Sequence, residues 1–407
     1  MASAINITPS SHDNYYNAGF RLQKEGIYPA FFKVQFDNYT DALMINITMF
    51  TSYGNPIKSA FGGYYYDLDE YSKPEDLFEA VRNKVVTPNQ IYPRYWHGYV
   101  LLLKPLFHLY NYDEIRHLNS VAFYLLFLFS TILLFLKTDW KLMISYVLSI
   151  LLADFFILPL SLQFSNVFFI LFISIIVLLY LKNPNTKTFK IYCFVLGCIT
   201  MFFDFYTYPY LTLVYPLIVI IYLLIRENHS VKEIINISLS CMGLWLVGYL
   251  ATWLAGNAIS TVLYGDVVIR NLLSSVNNRL PISDGAVNVF AMGYSAIKNC
   301  FSLYLKSEYT LFLWAIPFIF MLYLVCSVIL RNSLRNNCSN IKYIIPMLLP
   351  VLFTLIWLFA AGKTLIQHDW FQYRGICGVF FGAFYMCLYI VDFKKLQLNK
   401  YLHKKTR

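Results

Sequence analysis

The chain has 407 residues, of which 58% are hydrophobic and only 13% charged, about half the charged fraction of an ordinary soluble domain. Its apolar residues come in long blocks, Val121 to Leu136 and Val167 to Leu181 among them, and a helix needs about 20 such residues to cross roughly 30 Å of hydrocarbon. A soluble globular protein is thereby excluded. Nucleic acid is not expected as a partner of the formal +10 charge, because the basic residues sit in short clusters beside the blocks, where they specify topology.

In chain order, residues 1 to about 96 form the only long polar region, expected to fold as short helices and loops. Asp37-Asn-Tyr-Thr-Asp41 places two carboxylates four residues apart, on one face if the segment is helical. Such a pair suits a divalent cation, Mg2+ or Mn2+, or a general base with an orienting partner. Equally, Asp37 suits the N-cap of the apolar run from Ala42 to Phe50. A helix is expected around Pro74 to Val86, opened by Pro-Glu-Asp with acids in its first turn. Pro93-Arg94-Tyr95-Trp96-His97-Gly98-Tyr99 gathers rings, a cation and an imidazole. It reads as a sugar- or phosphate-binding cluster, with an interfacial aromatic belt as the alternative. The stretch from Tyr99 to Tyr110, interrupted by Lys104 and Pro105, reads as an interfacial or re-entrant helix.

Nine candidate spans follow, near 118–136, 142–160, 164–181, 191–207, 209–225, 235–256, 309–330, 343–361 and 375–391. With nine crossings, every basic cluster falls on one side: Lys137 and Lys141; Lys182, Lys187 and Lys190; Arg226 and Lys232; Arg331, Arg335 and Lys342; and the tail from Lys394 to Arg407. Excess Lys and Arg mark the cytoplasm. The expected organisation is an extracytoplasmic region over 1–117, a transmembrane domain over 118–392 with outer loops at 257–308 and 362–374, and a basic cytoplasmic tail over 393–407. The fold class is all-α, a polytopic transmembrane helical bundle of the plasma membrane.

Two acids lie inside apolar blocks, Asp154 and Asp204, both near outer span ends. Ionisable groups there usually face a cavity or a partner, with a carboxylate reaching headgroup water as the alternative. The loop Gly362 to Arg374 packs Lys363, His368, Asp369 and Arg374 into thirteen residues. Lys363 and Arg374 suit a phosphate or pyrophosphate, and His368 would orient it; the alternative is a solvated turn with an aromatic anchor. The eight cysteines show no metal-binding spacing and read as free thiols.

The early acidic motif, the large first outer loop, the many spans, the outer Arg and His residues and the run Arg94-Tyr-Trp-His97-Gly together resemble the GT-C superfamily of membrane glycosyltransferases. The resemblance implies a polyprenyl-phosphate sugar as donor and a surface glycan or similar acceptor, with membrane lipids around the bundle. Carried onto this chain, Asp41 or Asp37 is the base or metal ligand. Arg374, with Arg94 or Lys363, holds the phosphate; His97, His368 and Asp204 shape the site. Members usually carry a helix before the acidic loop, so a first helix missing from this sequence is expected upstream. The rival readings are a polysaccharide polymerase or ligase using lipid-linked glycans, a transporter or flippase of lipid-linked sugars, and a structural subunit; the absence of internal repeats speaks against a transporter.

Overall fold

The computed structural model describes residues 8–31, 33–279, 286–306 and 341–390. The structure is mostly helical, and local capping chemistry sets where the helices begin. In the polar region, α1 (Pro9–Glu25) opens on a Thr8–Ser11 capping box with proline at its first position and stops at Gly26, whose φ is +85°. A two-residue hairpin, β1 (Ala30–Phe31) with β2 (Val34–Gln35), leads into α2 (Asn38–Met49). After α3 (Pro56–Gly62), a second short sheet pairs β3 (Tyr64–Tyr65) with β4 (Gln90–Ile91) around α4 (Lys73–Arg82). The helix expected near Pro74 is therefore present; a Ser72–Glu75 capping box starts it and Asn83 ends it.

The apolar stretch after Tyr99 forms α5 (Val100–Leu109), ten residues long, or about 15 Å, half the hydrocarbon thickness. Lys104 is fully buried, and its Nζ donates to the carbonyls of Thr48 and Met49 at 3.2 and 3.3 Å. A cation thus meets carbonyls at the C-terminus of α2, which fastens α5 to the polar region.

The bundle contains α6 (Tyr112–Lys137), α7 (Trp140–Leu151), α8 (Leu162–Tyr180), α9 (Thr186–Phe203), α10 (Leu211–Arg226), α11 (Val231–Tyr264), α12 (Asp266–Arg279), α13 (Ala286–Lys306), α14 (Ile344–Ala360), α15 (Gly362–Gln367), α16 (Asp369–Gln372) and α17 (Cys377–Ile390). Five stretches are long and apolar enough to cross a membrane: α6, α8, α9, α11 and the segment Asp369–Ile390. Seven of the nine expected spans each coincide with a helix and 142–160 does so only in its first part; the segment 309–330 lies outside the described residues.

Two expectations are corrected. The segment 142–160 is not one helix: α7 stops at Leu151, and Asp154, at φ +57°, and Pro159 turn the chain before α8. Nor are the described parts of 257–308 a loop. α11 continues to Tyr264, and α12 and α13 follow, while 362–374 folds into two short helices and a 3-10 turn.

At the end of the bundle away from the polar region, Lys137 Nζ donates to the Leu179 carbonyl at 2.7 Å and Arg226 Nη1 to the Lys137 carbonyl at 2.9 Å. Two of the basic connectors thus meet in space. Among the described residues α9 packs tightly along α11, where backbones touch across glycines. A Cβ on Gly197 would lie 2.2 Å from the Trp245 carbonyl oxygen, and one on Gly248 the same distance from that of Phe194. Gly248→Leu is expected to part these helices and lower Tm clearly, by an overpacking cost of about 1–3 kcal/mol or more; an unchanged Tm in detergent would contradict this packing.

Candidate active-site cavity

Where the polar region meets the bundle end, the fold leaves a cavity of about 280 Å³. Its polar lining comes from six places: Asp37 and Thr40 at the start of α2, Arg94 on the turn before α5, Gln163 in the first turn of α8, Thr364 and Gln367 in α15, His368 after α15, and Gln372 in α16. The rings of Tyr28, Tyr92, Tyr95, Tyr206 and Trp370 fill the spaces between them. Flat apolar faces alternating with polar edges are the surface that a sugar ring requires.

Asp37 is the N-cap of α2. Its Oδ1 accepts from the Thr40 amide at 2.9 Å and its Oδ2 from the Thr40 hydroxyl at 2.7 Å. The capping role expected as an alternative is therefore real, and it does not exhaust the group. The carboxylate is 3% exposed, lines the cavity and has no ion-pair partner among the described residues. Burial pushes its pKa up to about 7; the Thr40 hydrogen bonds pull it down and the nearby Asp41 charge adds to the rise. A carboxyl group titrating near neutrality at a cavity wall fits a general base.

Arg94 faces Asp37's cavity with no hydrogen bond or ion pair among the described residues; its guanidinium lies 5.4 Å from the Tyr92 ring centroid. It also lines a second, mostly apolar cavity of about 220 Å³, walled by Tyr249 and Trp253 of α11, Leu272 of α12 and Trp357 of α14. Arg94, Tyr95 and Tyr206 belong to both linings. The cation therefore stands on the ridge between a polar chamber and an apolar slot.

The other expected site residues are placed differently, each for a physical reason. Asp41 does not face the cavity. Its oxygens accept from Tyr112 OH at 2.9 Å, Ser161 Oγ at 3.1 Å, and the amides of Leu162 and Gln163 at 3.0 and 3.2 Å. It caps the N-terminus of α8, and with its oxygens engaged by protein donors the Asp37–Asp41 pair does not present two carboxylates to one metal ion. Arg374 is fully buried rather than open to a phosphate. Nε donates to Asp154 at 3.0 Å, Nη2 donates to the Gln35 carbonyl at 2.6 Å, and the Tyr373 hydroxyl donates to the same Asp154 carboxylate.

Asp204 caps the turn after α9, accepting from the Thr207 amide and hydroxyl; it sets Phe205 and Tyr206 into the cavity wall without lining it. Lys363 is half-buried in the first turn of α15 and is not part of the lining. His97 sits behind the wall. Nε2 is 2.8 Å from the Tyr92 carbonyl and Nδ1 is 3.1 Å from Tyr99 OH, and the ring borders a separate cavity with Trp96 and Phe61. Of the expected residues, Asp37, Arg94 and His368 line the chamber together. Gln163, Gln372 and Tyr206 were missed; only the polar Gln163 heading an apolar block was a usable signal.

Comparison of the chain with protein-family models, with curated proteins and with solved structures gives no match.

Burial lowers the His97 pKa to about 4, outweighing the hydrogen bond at Tyr92. Because the folded value lies below the unfolded one of about 6.5, the unfolded chain binds more protons between them. The neutral ring's contribution is thus intact above about pH 6.5 and lost as pH falls towards 4, by on the order of 3 kcal/mol. His97→Asn, which tolerates the φ of +53° at this position, is expected to lose less Tm than the parent between pH 7 and pH 5. An equal loss in both proteins would mean that His97 is charged or solvated.

Proposed function

We propose that this chain is a membrane glycosyltransferase that takes a sugar from a polyprenyl-phosphate donor and transfers it to an acceptor hydroxyl on a surface glycan or similar molecule. The observation that carries the reading is the pairing of two charges that protein partners leave uncompensated. Asp37 and Arg94 line one aromatic chamber, and Arg94 also borders an apolar slot. An amphipathic ligand with a phosphate between a sugar and a hydrocarbon chain matches that order of surfaces: sugar in the chamber, phosphate at Arg94, chain in the slot.

In this reading the acceptor hydroxyl gives its proton to Asp37 while its oxygen bonds the anomeric carbon. The bond from that carbon to the phosphate oxygen breaks, and the polyprenyl phosphate leaves with the electron pair. Arg94, half-buried, stabilises the charge on the departing phosphate. His368, exposed at the chamber's edge, is placed to meet the acceptor. The five long apolar helices support a membrane setting. The basic clusters on the far side support a plasma-membrane protein of nine crossings, with the chamber extracytoplasmic and the C-terminus cytoplasmic.

The test is turnover of radiolabelled polyprenyl-phosphate sugars by purified protein in detergent. Asp37→Asn is expected to lose at least about a hundredfold in kcat, and Arg94→Met to raise KM for the donor. Asp41→Asn is expected to lower Tm while leaving more activity per folded molecule than Asp37→Asn. The rate should fall as pH drops below about 7, where Asp37 becomes protonated. Near-normal turnover by Asp37→Asn would remove the assignment; consumption of lipid-linked oligosaccharides alone would favour a polymerase or ligase.

A further inference from the structure

The guanidinium of Arg374 joins pieces of the fold that are far apart in sequence. Its Nη2 holds the carbonyl of Gln35, the last residue of β2 and two residues before Asp37. Gln372, two residues earlier, lines the same cavity as Asp37. Beneath the guanidinium, 4.7 Å away, is the ring of Phe164, the neighbour of the cavity residue Gln163. Asp154 fixes the direction of the fork through Nε, from a left-handed turn that keeps its carboxylate inside the fold. A planar fork satisfies both acceptors at once, which a single ammonium on a flexible stem does not.

We propose that Arg374 is a positioning residue that locks the Gln35–Asp37 segment against the 364–372 wall and so keeps the Asp37 carboxylate enclosed between them. Its kinetic consequence rests on the reading of Asp37 as a base; the enclosure does not. The titratable and charged groups that share the cavity with Asp37 are Tyr28 and Tyr39 on its own approach, Arg94 on the turn before α5, the phenols of Tyr92, Tyr95 and Tyr206, and His368 beyond α15, with Asp41 one helical turn on. None of these groups is itself removed when Arg374 is changed, whereas water reaches Asp37 once its strand loosens. Rehydration stabilises the carboxylate and returns its titration towards the ordinary range.

The experiment is pH-dependent modification of Asp37 by a hydrophobic carbodiimide, which reacts with the protonated carboxyl, read by mass spectrometry on the full-length protein. It needs no substrate. Arg374→Met is expected to move the midpoint down by about one unit or more, and Arg374→Lys to do the same if the methionine variant does not fold. Asp154→Asn loses the same ion pair but leaves the Gln35 bond, so its midpoint should stay near the parent's even though its Tm falls. An unmoved midpoint in the Arg374 variants, or an equal shift in Asp154→Asn, overturns the proposal. Where sugar transfer is active, Arg374→Lys should lower kcat about tenfold with little change in KM. A shifted midpoint without any sugar transfer retains Arg374's role and removes only the glycosyltransferase reading.

Discussion

The seating of Asp41 on the N-terminus of α8 is the interaction on which the chamber depends. A buried carboxylate costs several kcal/mol unless donors replace its water. Here two backbone amides at the positive end of a long helix, a serine hydroxyl and a tyrosine hydroxyl do so. Arg116 reinforces the arrangement, reaching Tyr112 OH at 2.7 Å, Asn38 at 3.0 Å and Glu25 at 3.0 Å. The first helix, the start of α2, α6 and α8 are thus bound through one polar network. Because α2 is pinned at Asp41, its N-cap is fixed one turn earlier, and Asp37 is directed at the cavity.

That seating separates two kinds of charge. Asp41, Arg374 and Lys104 are buried and hydrogen-bonded to protein partners, and each fastens one segment to another. Asp37 and Arg94 carry charge into a cavity without a counter-ion among the described residues. Protein structure rarely leaves such groups unless a ligand or a reaction supplies the compensation. The same contrast explains why the apolar slot matters: a cation between a polar and an apolar space is poorly placed for a free sugar phosphate and well placed for one on a lipid.

Much of the bundle was legible in the sequence because hydrophobic blocks of nearly 20 residues have few alternatives to a helix. The legible part ended where hydropathy ceased to separate helix from loop: α13 carries Asn288, Lys298 and Asn299 among its apolar residues and read as part of a loop. In the site, the Asp37 and Asp41 spacing marked a segment at the cavity but not which of its carboxylates lines it. Which of the two faces the cavity is decided by Ser161 and Leu162, about 120 positions away in sequence, and no local pattern encodes that. Arg374 was misread for the same reason, since its partners Asp154 and Gln35 lie 220 and 339 positions away. Arg94 and His368, which line the cavity, stood out because aromatic, cationic and imidazole groups crowded into short connectors have few structural uses.

The central claim is that the chamber and the slot bind one amphipathic phosphate through Arg94, and equilibrium binding tests it without knowledge of the sugar. Purified protein in detergent would be titrated with a polyprenyl phosphate, the corresponding polyprenol and inorganic phosphate, beside the Arg94→Met variant. The account requires the polyprenyl phosphate to bind well ahead of both fragments, and the variant to lose the preference for phosphate over alcohol while keeping its fold. Equal binding of the polyprenol, or an undiminished preference in the variant, would contradict it.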